Sequence, residues 1–225
     1  MRVLDQNGSG TDANVANGII WAATPTNQLF NADPAHPGAD PNIPGGGANV
    51  ISLSLGGSAP DAAVQAAVEF AKTQGVVVVA AAGNNNAATP GMACDSTAVD
   101  YPAAYSTDPK AAVIAVAATD NTGAATYYSY CGSYVDIAAP GGTGGSTSTS
   151  ILSSTNSSDT ATRLLNGTSM ATPLVSAAAA LLLEKCPGTD PVRIRQDLDS
   201  TGPAVTSQSF SRLDAGLAVT GSCPP

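Results

Sequence analysis

Two periodicities alternate along this chain. The runs "VVVVAAAGN" (76–84) and "AAVIAVAAT" (111–119) are apolar without interruption, as strands buried on both faces of a parallel sheet are. Shorter runs of the same kind are "NVISLSLGG" (49–57), closing on Gly56 and Gly57, and "YVDIAAPGG" (134–142), closing at Pro140. "RVL" (2–4) reads as a first strand. Between the runs the spacing turns helical. "DANVANGIIWAA" (12–23) carries Val15, Ile19 and Ala22 on one face, with Asp12 as its cap, and "PDAAVQAAVEFAKTQG" (60–75) starts near Asp61 and stops at Gly75. The residues after Ser169 are apolar almost all round, which predicts a buried helix. "DPVRIRQDLDST" (190–201) predicts the last helix, opened by Asp190 with Pro191 in its first turn. Strands alternating with helices predict an α/β fold.

Residues 25–47 interrupt this pattern with a Pro-, Asn- and Gly-rich stretch that reads as a surface insertion rather than a domain boundary. "GGTGGSTSTS" (141–150) is no phosphate-binding loop, because no Lys follows its glycines. There are no internal repeats, and 225 residues suit a single domain, 1–225.

Charge and cysteine content narrow the classes. Only 11% of residues are charged against 43% hydrophobic, which excludes disorder. A formal charge of -9, with eight scattered basic residues, excludes a nucleic-acid partner. The longest apolar run, around Leu174–Leu183, is too short for a membrane span, so no membrane partner is expected. "MRVLDQNGSG" has no apolar core of a signal peptide. Cys94, Cys131, Cys186 and Cys223 form no C-x-x-C pair. Of their three pairings, Cys94–Cys131 with Cys186–Cys223 is favoured, each tying a loop to its neighbour. Free buried cysteines are the alternative.

The chemistry gathers at two points. In "GTSMATP" (167–173), Ser169 stands where a helix begins, so free N–H groups and the positive dipole end face it and would stabilise charge growing on a carbonyl. Pro173 is expected in the first turn, where N–H groups are spare. A plain Ser/Thr cap is the commoner fate of such residues. Asn84 follows the most buried strand, where an amide can donate into the crevice at the strand ends. A turn Asn is the alternative, and Asn85 and Asn86 fit it.

"GTSMATP", "VVVVAAAGN", "ISLSLGG" and "VDIAAPG", in this order and spacing, together with "RVLDQNGSG…ANGIIWA" and "SRLDAGLAV", resemble the subtilisin-like serine proteases, the subtilase family. The resemblance runs from near Met1 almost to the C-terminus. It implies a three-layer α/β/α fold with a mostly parallel central sheet, lacking its N-terminal strands. It implies an endopeptidase working through an acyl-enzyme, with Ser169 as nucleophile and Asn84 as oxyanion-hole donor. Ser54, Leu55 and Gly56 would form one wall of the substrate groove, Ala82 and Gly83 the other, with Thr168 beside them. Asn85, at the position that often tunes the specificity pocket, is neutral and implies no demand for a charged side chain. No cofactor is required, although the family's weak cation site would fall at Asp136 with carbonyls near Ala103 and Tyr105, a structural calcium site; a solvated Asp136 is the alternative. The insertion and the cysteines are similar to those of extracellular bacterial members, which implies a secreted protein acting on protein or peptide substrates.

The family's D-[ST]-G and H-G-T motifs are absent from these residues. The single histidine, His36, is followed by Pro and Gly and falls in the insertion, so it is not expected to act as base. The expectation is a partial catalytic domain whose Asp and His lie in a segment before Met1, with Met1 itself standing for a valine codon read as a start. Alone, the chain would be nearly inert, and runs such as "VVVVAAA" would lack strand partners. The alternative is a pseudoprotease that keeps the groove as a peptide-binding module.

Overall fold

A computed structural model describes residues 2–28, 44–108, 112–145, 147–155, 157–221 and 223. The chain runs α1 (Asp12–Ala23), β1 (Val50–Leu53), α2 (Ala62–Thr73), β2 (Val77–Ala81), β3 (Val113–Thr119), β4 (Ile137–Pro140), β5 (Ile151–Ser154), β6 (Thr162–Leu165), α3 (Thr168–Lys185), α4 (Pro191–Asp199), β7 (Ser211–Arg212) and α5 (Ala215–Thr220). Five strands pair in the order β1-β2-β3-β4-β7, all parallel. Parallel neighbours need crossovers; α2 supplies the one from β1 to β2, and α3 and α4 lie in the one from β4 to β7, whereas β2–β3 and β3–β4 are joined by long segments without an α-helix.

The period of two in β2 divides the core. Val78 and Ala80 face the layer of α1 and α2 with Val15, Ile19, Val64 and Val68. Val77 and Val79 face the layer of α3 and α4 with Val175, Leu182, Ile194 and Leu198. Sheet and two helical layers make the α/β/α sandwich, which places both faces of β2 and β3 out of water.

Several sequence expectations need correction. "VVVVAAA" does not lack partners, since β2 lies between β1 and β3 and is paired on both sides. The edge strands of this sheet are β1 and β7. "RVL" forms no strand; Val3 instead packs its side chain over Gly18 of α1, where an added Cβ would collide with it. A strand needs a neighbour to take its backbone hydrogen bonds, and none lies beside these residues among those described. Thr11, not Asp12, caps α1, its hydroxyl accepting the Asn14 N–H. Asp61 does cap α2, accepting from the Ala63 and Val64 N–H groups. The helix after Ser169 is not buried all round, because Leu174 and Leu181 face solvent. α4 is not the last helix, since α5 follows it. Polarity hid the β5–β6 hairpin, four paired residues a side, inside the Ser/Thr/Gly-rich stretch and its continuation.

Most of the 25–47 insertion, His36 included, lies outside the described residues. Its C-terminal end is hooked to the C-terminal end of α1, where Trp21 Nε1 donates to the Pro44 carbonyl and the Gly47 N–H donates to the Thr24 carbonyl. Both favoured disulfides are present, Cys94–Cys131 and Cys186–Cys223. No helix among the described residues is long and apolar enough to cross a membrane.

Candidate active site

β1 and β2 lie side by side and parallel, so their carboxyl ends open together into one crevice. The chain leaving β1 passes through Ser54, Leu55 and Gly56; the chain leaving β2 passes through Ala82, Gly83 and Asn84. The N-terminus of α3 brings Ser169 to the same place. Gly167, at φ 153, turns the chain sharply into that helix.

Three hydrogen bonds fix the geometry. The Thr168 N–H donates to Asn84 Oδ1 at 3.0 Å. An N–H can only donate, so the atom facing it must be the amide oxygen, and the Asn84 NH2 is left to donate elsewhere. Ser54 Oγ donates to the Ser169 carbonyl at 2.7 Å, and Ser169 Oγ lies 3.4 Å from the Ser54 carbonyl. The first of these serine bonds follows from Pro173. That residue is not in the first turn but is the sixth residue of α3. Lacking an N–H, it leaves the carbonyl four residues back, that of Ser169, without its helical donor, and Ser54 fills the place. The Ser169 N–H falls in the first turn, where N–H groups have no acceptor within the helix. Ser169 thus offers a hydroxyl, and its own N–H and the Asn84 amide are two donors beside it.

The other expected groove residues differ in exposure. Leu55 and Gly56 reach the surface, but Thr168 is wholly buried and acts through its backbone N–H on Asn84. Ala82 is also wholly buried; its N–H donates to Val116 and its carbonyl accepts the Tyr134 hydroxyl at 2.6 Å. It therefore underlies the wall instead of lining it. Gly83 is buried as well, its carbonyl accepting the Tyr130 N–H, and the Asn85 N–H donates to the Tyr128 carbonyl.

Asp136 is neither solvated nor free to bind a cation. Its carboxylate is ion-paired with Arg195 and accepts the Ala115 N–H at 2.8 Å, while Arg195 Nη1 donates to the Ser106 carbonyl at 2.6 Å. The Tyr105 carbonyl accepts the Asp108 N–H. The guanidinium therefore stands where the cation was expected. No cluster of three or more metal-ligating side chains occurs among the described residues. Burial pushes the Asp136 carboxyl up to about 6, against the pull of Arg195. The native value lies above the 3.8 of a free carboxyl, so this group favours the fold at low pH and loses that contribution as pH rises through about 6. Arg195→Met should therefore cost roughly 2 kcal/mol at pH 8, less than a fully enclosed pair because Arg195 is partly exposed, and less again at pH 5. Urea unfolding at the two pH values measures this, and a loss independent of pH would mean that packing, not the pairing, is at stake.

Comparison with known proteins places these features in a group. The description "Subtilase family" matches residues 1–214. Thermitase of Thermoactinomyces vulgaris is 39% identical over 206 residues, which are 92% of this chain and 57% of thermitase. Subtilisin Savinase of Lederbergia lenta is 35% identical over 210 residues, 93% of this chain and 62% of that sequence. Among solved structures, a protease from Pseudoalteromonas arctica PAMC 21717 superposes with a TM-score of 0.76 at 33% identity, the match covering 97% of this chain and 61% of that one. The chain thus spans about three fifths of the length of these relatives.

Proposed function

The chain belongs to the subtilase family, and on that basis we propose that it carries the nucleophile-bearing part of a serine endopeptidase. Ser169 attacks a peptide carbonyl, the Asn84 amide and the Ser169 N–H hold the oxyanion, and water releases the acyl-enzyme. The observation that carries this reading is the Thr168 N–H to Asn84 Oδ1 bond. It aims the amide as a donor, and a turn asparagine would have no need of that orientation. Ser54, Leu55 and Gly56, directly after β1, offer their backbone to the substrate. No group within hydrogen-bonding reach of Ser169 Oγ among the described residues is a base. The reaction needs one, with a carboxylate to orient it. We assign both to polypeptide outside these 225 residues, as the missing D-[ST]-G and H-G-T motifs imply. The two disulfides favour an oxidising, extracellular setting.

The test is to supply the matching N-terminal segment of thermitase, fused ahead of residue 2, and to assay peptide hydrolysis. Turnover should appear in the fusion and be absent from the chain alone. A folded fusion that binds peptide without cleaving it would instead favour the peptide-binding module. In the active fusion, Asn84→Ala should lower kcat by about 10²–10³ with little change in KM; the figure is the one known for the oxyanion asparagine of subtilisin itself and is taken over from that relative. A change confined to KM would remove Asn84 from the oxyanion hole.

A further inference from the structure

Each wall of the crevice carries a glycine, and the space that the two missing side chains leave is occupied by Asp100. A Cβ added to Gly56 would lie 2.5 Å from Asp100 Oδ2 and 2.9 Å from Oδ1. A Cβ added to Gly83 would lie 2.8 Å from the Asp100 Cβ and would collide with the Tyr130 ring. Backbone pairing of Gly57 with Tyr101, at 2.9 and 2.8 Å, holds Asp100 directly beneath the first wall. A side chain entering the slot from a peptide laid along Ser54–Gly56 therefore meets this carboxylate.

Asp100 is also uncompensated. No cation pairs with it among the described residues. The neighbouring Asp95 is engaged by Thr97, Ala98 and Asn85, whereas the Asp100 carboxyl has burial against it and only the Tyr101 N–H in its favour. Burial pushes it up to about 6, which leaves it mostly ionised at neutral pH. A half-buried carboxylate without a partner is costly, and a cation arriving with the substrate relieves that cost. Asn85, expected to set the pocket's neutrality, does not face it as a free group; its amide donates to Asp95 at 3.0 Å.

We propose that Asp100 is the specificity-determining residue of this crevice, selecting substrates with Lys or Arg immediately before the scissile bond. The proposal rests on the protease reading above. Its test is kept separate from that reading by measuring binding in the fusion bearing Ser169→Ala, which cannot turn substrate over. Fluorescence anisotropy is read for four peptides that differ only at that position, carrying Arg, Lys, Phe or Glu. The Arg and Lys peptides should bind at least about tenfold more tightly than Phe, with Glu weakest. Asp100→Asn should bring the Arg-to-Phe ratio close to 1. Should that variant fail to fold, ionic strength serves instead: raising salt from roughly 0.05 to 0.5 M should weaken the Arg peptide and leave the Phe peptide nearly untouched. Equal or tighter binding of Phe, an Arg preference that survives Asp100→Asn, or an Arg affinity indifferent to salt overturns the proposal. Absence of turnover with Ser169 intact, while the Arg preference persists in binding, overturns the protease reading and leaves the pocket standing.

Discussion

Ser169→Ala in the thermitase-complemented fusion should lower kcat for peptide hydrolysis by about 10⁶, the magnitude known for the nucleophile of subtilisin and taken over from that relative. The size follows from the division of labour in the site. The groove, the Asn84 amide and the first-turn N–H all survive the change, so substrate binds as before and KM should move little. What disappears is the covalent route, leaving only oxyanion stabilisation of direct attack by water. Ser54 provides the internal comparison. It is the other hydroxyl at the site, 2.7 Å from the Ser169 carbonyl, and its role is to satisfy a carbonyl that Pro173 has deprived of its donor. Ser54→Ala should therefore cost about tenfold or less, since water can reach that exposed carbonyl. Initial-rate assays on both variants decide the matter: comparable losses at the two serines would remove Ser169 from its role as nucleophile.

How far these features were legible in the chain depended on whether the signal was local. β2 and β3 announced themselves through unbroken apolar runs because burial on both faces demands them. Asp61 and Asp190 announced two helix starts because a cap is a contact within three residues. The placement of Asn84 after a strand and of Ser169 at a helix start was legible for the same local reason. The contacts between them were not, for Thr168 and Asn84 are 84 residues apart and meet only once the sheet is ordered. Asp100 was invisible for the same reason. Nothing local marks it, and its place is defined by Gly56 and Gly83, which come together only because β1 and β2 are neighbours. Arg195 likewise reads as a helix-surface charge until the fold lays α4 against Asp136. A surplus of glycine at two strand ends, followed by an acidic residue ahead of a Tyr-Pro turn, was the one available hint.

Removing either disulfide should destabilise the fold by about 4 kcal/mol, because each closes a loop with the same sequence separation of 37 and the chain-entropy estimate depends on that length. At this size the loss corresponds to a fall in Tm of roughly 10 °C. The equality makes their functional difference diagnostic. Cys94–Cys131 joins the loop after Asn84 to the segment that holds the Gly83 wall of the crevice. Within that joint the Asp95 N–H donates to Ser129 at 2.9 Å and the Cys131 N–H to Asp95 at 2.8 Å. The Tyr130 N–H in turn donates to Gly83 at 3.0 Å. Cys186–Cys223 ties the far end of α3 to the tail after α5, 17 residues along the chain from Ser169. Cys94→Ala with Cys131→Ala should therefore lower kcat about tenfold as well as Tm, by letting Gly83 and Asn84 shift against Thr168. Cys186→Ala with Cys223→Ala should lower Tm by a similar amount and leave kcat of the fusion unchanged. Calorimetry and initial rates on the two double variants test this together. Equal losses of kcat would mean that general loosening of the fold, and not the bracing of one wall, connects these crosslinks to catalysis.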